Sequence, residues 1–187
     1  MNLHATAQQT VGPYFSIGLA PLYRADLAPA GVAGDRVTIA GRVLDGDGAP
    51  VTDALIELWQ ADADGHYAHP DDDRGPVADP RFTGFGRVAT DADGRFAFTT
   101  IKPGAVPGPD GGMQAPHLAV SVFMRGLLKH LVTRIYFDGE PANAGDPILT
   151  LVPPERRDTL VARAIRPGEL AWDVILQGDR ETVFFDC

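Results

Sequence analysis

The chain has one cysteine, Cys187, and therefore no internal disulfide framework. It has no apolar run near the roughly 20 residues needed to span a bilayer, and its first residues lack the basic-then-apolar pattern of a signal peptide. A cytoplasmic location is the expectation. Basic residues are outnumbered, 16 against 25 acidic, for a net charge of −9. Phosphate binding needs clustered Lys and Arg, so a nucleic-acid partner is not expected. What is plentiful is punctuation: 21 Gly and 16 Pro among 187 residues, scattered between short segments rather than gathered in a tract. That pattern favours many turns and an all-β fold in one domain large enough to bury a core.

The segment Ile101–Arg125 organises the rest. It leaves a strand, passes through a Pro/Gly loop and becomes the most regular alternation in the chain. Leu118, Val120, Val122 and Met124 point to one face, and His117, Ala119, Ser121, Phe123 and Arg125 to the other. The first face reads as core. The second begins with a metal ligand or base and ends with a fixed positive charge. At about 3.3 Å per residue these two side chains lie roughly 26 Å apart, too far to share one small-molecule site.

Other segments follow the same period. Val37–Leu44, Ala54–Gln60, Arg87–Thr90, Arg95–Thr100, Val132–Phe137, Leu170–Leu176 and Thr182–Phe185 read as strands. The Asp-Gly pairs at 45–48, 64–65 and 93–94 read as hairpin turns; they lack the Gly and Glu spacing of a calcium loop. Pro153–Ala164 reads as the single helix, with Leu160, Val161 and Ala164 as its apolar stripe. Residues 1–36 lack periodicity and read as an extended arm crossing a surface or reaching a neighbour; a floppy terminus is the alternative, against which the aromatics Tyr14, Phe15 and Tyr23 argue. The expected architecture is an antiparallel β-sandwich over residues 37–187, with one short helix, long loops and that N-terminal arm. The loop His66–Arg74 is crowded with ligand-type side chains, a composition that solvation alone also explains.

Five motifs carry a resemblance: Ile39-x-Gly-x-Val43, Ile56-Glu-Leu-Trp-Gln-Ala-Asp62, Gly65-His-Tyr67, Lys102-Pro-Gly104 and Ala115-Pro-His117. Through them the chain resembles the intradiol ring-cleavage dioxygenases, which hold a mononuclear ferric iron with two Tyr and two His. Tyr67 and His117 match the first Tyr and first His. Val106 stands at the second Tyr position and Ala119 at the second His position, and neither can coordinate a metal. Hard ferric iron needs anionic oxygen donors, so the retained pair is too few. His66, His69 and His130 do not lie at positions the pattern offers. Tyr67 and His117 are then expected to serve structure, bonded to each other or to nearby backbone.

The resemblance is strongest to heteromeric, protocatechuate-cleaving members, in which a homologous β chain carries the Fe(III) and the α-type chain carries none. Gln9–Tyr14, Phe123–Gly126 and Glu181–Asp186 carry this finer likeness. It implies a higher oligomer of αβ units that uses O2 to open protocatechuate to 3-carboxy-cis,cis-muconate. It also implies that Thr10, Pro13, Tyr14 and Arg125 are lent to the substrate pocket of the partner's iron site. Taken alone, Arg125 reads as a solvated strand-end cation, Tyr14 as a packing aromatic, and Thr10 is uninformative. A non-catalytic β-sandwich binding module is the alternative from another class, and a metalloenzyme relying on Tyr67 and His117 alone is a third.

Overall fold

Strand β1 (Arg36–Leu44) alternates Val37, Ile39 and Val43 inward, and both of its edges are used. A computed structural model of the chain describes residues 9, 10, 12, 14–108 and 111–186, and for Tyr14 the backbone alone. Along one edge β1 pairs antiparallel with β4 (Arg95–Ile101) over seven residues. Along the other it takes the last two strands, β10 (Glu169–Ala171) and β11 (Val174–Ile175), in parallel. The remaining strands are β2 (Leu55–Trp59), β3 (Phe85–Ala89), the short β5 (Val106–Pro107) and β6 (Met113–Gln114), β7 (His117–Phe123), β8 (Leu131–Phe137) and β9 (Val161–Arg166).

The main sheet runs β11-β1-β10-β9-β8-β7-β2-β3, with β4 on the free side of β1. It folds over on itself. The β1/β4 side contributes Ile39, Phe96 and Phe98, and the β2/β7/β8 side contributes Ile56, Leu58, Leu118, Val120, Val122 and Ile135, to one buried cluster. Burying such side chains is worth about 1.5–3 kcal/mol each, which is why the period-2 pattern decides the faces. The two sides join through a parallel pairing of β8 with β9 at Tyr136 and Phe137.

The described residues form a β-sandwich with a single short α-helix, and β7 presents the faces its alternation specifies. Five local expectations need correction. The helix is α1 (Tyr14–Leu19), not Pro153–Ala164, which divides into a 3-10 turn over Pro154–Leu160 and strand β9. Leu160 and Ala162 are both fully buried, so a period of two takes over where a period of 3.6 was read. The Asp93-Gly94 turn does not close a hairpin, because β3 pairs with β2 while β4 pairs with β1; the turn carries the chain between the two sides. Nor is the sheet purely antiparallel, since β1–β10, β1–β11 and β8–β9 run parallel. Finally, Leu170–Leu176 breaks at Trp172–Asp173, and Thr182–Phe185 forms a single bridge, Val132 to Phe185. Ahead of β1, Leu27 and Ala28 join the core. No helix among the described residues is long and apolar enough to cross a membrane.

Candidate functional site

Trp59, Gln60, Ala61 and Asp62 leave the end of β2 and set the site's frame. Gln60 is fully buried; its Nε2 donates to the carbonyls of Ala61 and Ile101, each at 3.0 Å, and its Oε1 accepts from Thr100 at 2.6 Å. The Asp62 carboxylate accepts from the backbone N–H groups of Asp64, His66 and Ala78 at 2.9–3.0 Å. These bonds shape the loop that carries Tyr67 and seat it against the loop that carries Val106. Two glycines permit that closeness. A Cβ at Gly65, where φ is +84°, would stand 2.2 Å from the Ala105 carbonyl oxygen; one at Gly104 would stand 2.6 Å from the Ala63 oxygen. The motif shared with the dioxygenases is thus first a loop-building device.

Tyr67, Val106, His117 and Ala119, the four positions the resemblance sets against iron ligands, lie around one side chain that the motifs do not include. Ala119 on β7 is flanked by Trp59 on β2 and Arg134 on β8. Tyr67 stacks on Trp59, with ring centroids 5.9 Å apart and planes at 6°. His117 faces Tyr136 across the same strand pair, at 5.8 Å between rings. Val106 is paired with Gln114, whose Oε1 accepts from Arg134 Nη1 at 2.7 Å. The same Nη1 lies 3.4 Å from the Tyr136 hydroxyl, which in turn donates to buried Asp146 at 2.9 Å. Asp146 also accepts from the backbone N–H groups of Ala115, Ile148 and Leu149. Arg134, Tyr136 and Asp146 are what motif reading missed. An Arg in the middle of a largely apolar strand, with only an Ala as its cross-strand neighbour, was the available signal.

His117 and Tyr67 do not bond each other. The imidazole Nδ1 pairs with the carbonyl of Ala115 at 2.8 Å, the backbone partner that was the other expectation. Burial, reinforced by the Arg134 charge, lowers the His117 pKa to about 4, so the ring is neutral near pH 7. Burial raises the Tyr67 and Tyr136 phenols above their ordinary value. Beside Tyr67, Asp72 is gripped at both oxygens by Arg74, at 2.8 and 2.5 Å, and by the Tyr67 N–H at 2.7 Å, which holds its carboxyl well below the usual carboxylate range. An open cleft of about 830 Å³ lies over this corner, walled by Trp59, Tyr67, Phe85, Val106 and Pro107, with His69 and Asp71–Arg74 at its rim.

The residues present do not fit a ferric centre. Val106 is a buried hydrocarbon, Ala119 offers a methyl group, and a bonded guanidinium stands among the four positions. Among the described residues no group of three or more His, Cys, Asp or Glu is arranged to hold a metal ion. His69 sits edge-on to Trp59 at the rim of the cleft, and His130 stacks on Phe123 at 5.1 Å, away from it.

The other end of β7 is different in kind. Arg125 lies just past the strand, exposed, with its Nε bonded to Asp53. The Thr10 hydroxyl accepts from the N–H of Gly126 at 3.0 Å, so two residues 116 positions apart, both singled out from the sequence, meet here. Tyr14 opens helix α1, and its side chain, like Pro13, lies outside the described residues.

The fold agrees with the comparisons. A family model described as Dioxygenase matches residues 11–178, and the chain belongs to the intradiol ring-cleavage dioxygenases, an iron-dependent family. Its dioxygenase fold is also that of a solved dioxygenase domain from Streptomyces sp. SirexAA-E, at a TM-score of 0.62 and 30% identity, over 96% of this chain and 100% of that one. Among curated proteins it is 46% identical to the protocatechuate 3,4-dioxygenase alpha chain of Burkholderia cepacia, over 99% of this chain and 98% of that protein. The beta chain from the same organism is 44% identical over 132 residues, covering 70% of this chain and 56% of its own.

Proposed function

We propose that this chain is the alpha subunit of a heteromeric protocatechuate 3,4-dioxygenase. It holds no iron itself and completes the substrate pocket of a homologous, iron-bearing beta subunit, in a higher oligomer of αβ units. The observation that carries the reading is the division of β7. The cluster at one end keeps a Tyr and a His but has Val106 and Ala119 where two further donors would stand, while at the other end Thr10 bonds the backbone of Gly126 beside the exposed Arg125. Near-complete coverage of an alpha chain, alongside a partial match to a beta chain, supports the same assignment.

The ring-opening chemistry, with O2 as co-substrate and 3-carboxy-cis,cis-muconate as product, belongs to the partner's metal site. This chain contributes recognition. Protocatechuate carries a carboxylate, and a chain of net charge −9 repels it at long range. A local guanidinium reverses that effect at short range and supplies a charge-assisted hydrogen bond. Asp53 engages Arg125 through Nε, and among the described residues the two terminal nitrogens are left for an incoming carboxylate. The arm that contacts the partner, with Pro13 and Tyr14, is the part of residues 1–36 ahead of the bridges at Arg24 and Asp26, because Leu27 and Ala28 already belong to the core of the sandwich otherwise formed by residues 37–187.

Purification of the chain alone and together with a homologous beta chain tests the reading. Iron, visible tyrosinate-to-iron colour and protocatechuate cleavage should appear only in the co-purified complex. One ferric ion per chain in the isolated protein, or full activity of the beta chain without this one, would refute it.

A further inference from the structure

We infer that Arg134 is itself a barrier to ferric iron in this chain, in addition to the two missing ligands. This rests on the reading that the chain carries no iron. The side chain is central to all four positions. It is the direct cross-strand partner of Ala119, and residues so paired in an antiparallel ladder share a face at about 4.5–5.5 Å between Cβ atoms. The methyl group of Ala119 leaves room for it. Its Nη1 is bonded to Gln114, the strand partner of Val106, and approaches Tyr136, the strand partner of His117. Beyond Ala119 in the same cross-strand row stands Trp59, on which Tyr67 is stacked.

A guanidinium stays protonated in any protein environment, and its planar fork satisfies several acceptors at once. Here it places a permanent positive charge where a trivalent cation would have to sit among the same side chains. Iron could enter only by displacing it, which would break the Gln114 contact and strip a buried amide oxygen of its donor. Asp146, reached through the Tyr136 hydroxyl, balances the guanidinium, so the arrangement is satisfied without metal. Restoring the two ligands would then not be enough to restore a ferric site.

The test uses the full chain, alone and co-purified with its beta partner, in paired variants. V106Y/A119H returns both donors with Arg134 in place, and V106Y/A119H/R134Q removes the charge while keeping a polar side chain of similar reach. Ferric binding is read by metal analysis and by the visible tyrosinate-to-iron band. The triple variant should bind about 10–100-fold more tightly than the double, the range by which groups around a metal's ligands tune affinity. V106Y/A119H/R134K, which keeps the charge, should behave as the double. Circular dichroism confirms folding of each, and R134L replaces R134Q if the glutamine variant fails that check. Equal ferric affinity with and without Arg134, whether tight or negligible, would overturn the inference and leave the functional reading standing. Stoichiometric iron in the native chain would overturn both.

Discussion

Strand β7 carries two sites of opposite construction at its two ends. Around His117 the polar groups are buried and answer one another: imidazole to backbone carbonyl, guanidinium to amide and phenol, phenol to carboxylate. Around Arg125 the side chain is exposed, bonded to a single carboxylate, and next to a segment arriving from the far N-terminus. The first end behaves as core and the second as exposed surface.

The contrast is broken most severely by removing Asp146. Asp146→Ala orphans the Tyr136 hydroxyl and three backbone donors in a closed interior. With about 1–3 kcal/mol for each buried group left unpaired and some relaxation, the loss should reach about 3–5 kcal/mol. Urea unfolding checks it, and a shift below about 1 kcal/mol would mean that the cluster is not core.

Acid probes the same end without mutation. His117 is neutral in the fold down to about pH 4, whereas the unfolded chain gains that proton near pH 6.5. Between those values the unfolded state binds more protons, so stability must fall as pH falls, by about 3 kcal/mol in total from this residue. His117→Gln should flatten that part of the stability profile. An unchanged slope would remove His117 as its source.

At the other end the effects should appear in substrate recognition with folding intact. Arg125→Ala removes a charged hydrogen-bond partner worth about 1.5–3 kcal/mol, so KM for protocatechuate in the assembled enzyme should rise about 10–150-fold. Catechol, which lacks the carboxylate, should be nearly indifferent, and iron content unchanged. Equal effects on both substrates would make Arg125 a packing residue. Thr10→Ala removes a neutral bond to Gly126 and should cost about 0.5–1.5 kcal/mol in the same assay. An effect as large as that of Arg125→Ala would show that Thr10 touches substrate directly.

Much of this was legible in the sequence because β structure writes itself in alternation. The faces of β7 and the core of β1 were accessible that way. Other features depend on partners distant in the chain. Nothing local tells Val161–Arg166 to pair with β8 in parallel, and Leu160, Val161 and Ala164 satisfy a helical stripe as well as they satisfy a strand. Helix α1 carries neither an acidic first turn nor a basic last turn, leaves Ile17 exposed and includes Gly18, so propensity gives it little voice. Arg134 was hidden for a related reason. Its role is set by Ala119, fifteen positions earlier, and only the register shows that a small residue and a long one face each other.

The double use of β1 has a consequence for how the chain comes into being. Its pairing with β4 closes when residue 101 has been made, but its opposite edge waits for Glu169–Ala171 and Val174–Ile175. Throughout synthesis of the intervening segment, a strand rich in Ile and Val presents an unpaired ladder to its surroundings, the configuration most prone to join another chain. Closing so long a loop also makes folding slow, in the range of milliseconds to seconds for folds dominated by distant pairings. Newly made chains therefore spend their most vulnerable interval with the central strand half-covered, and loss of the last thirty or so residues would make that interval permanent.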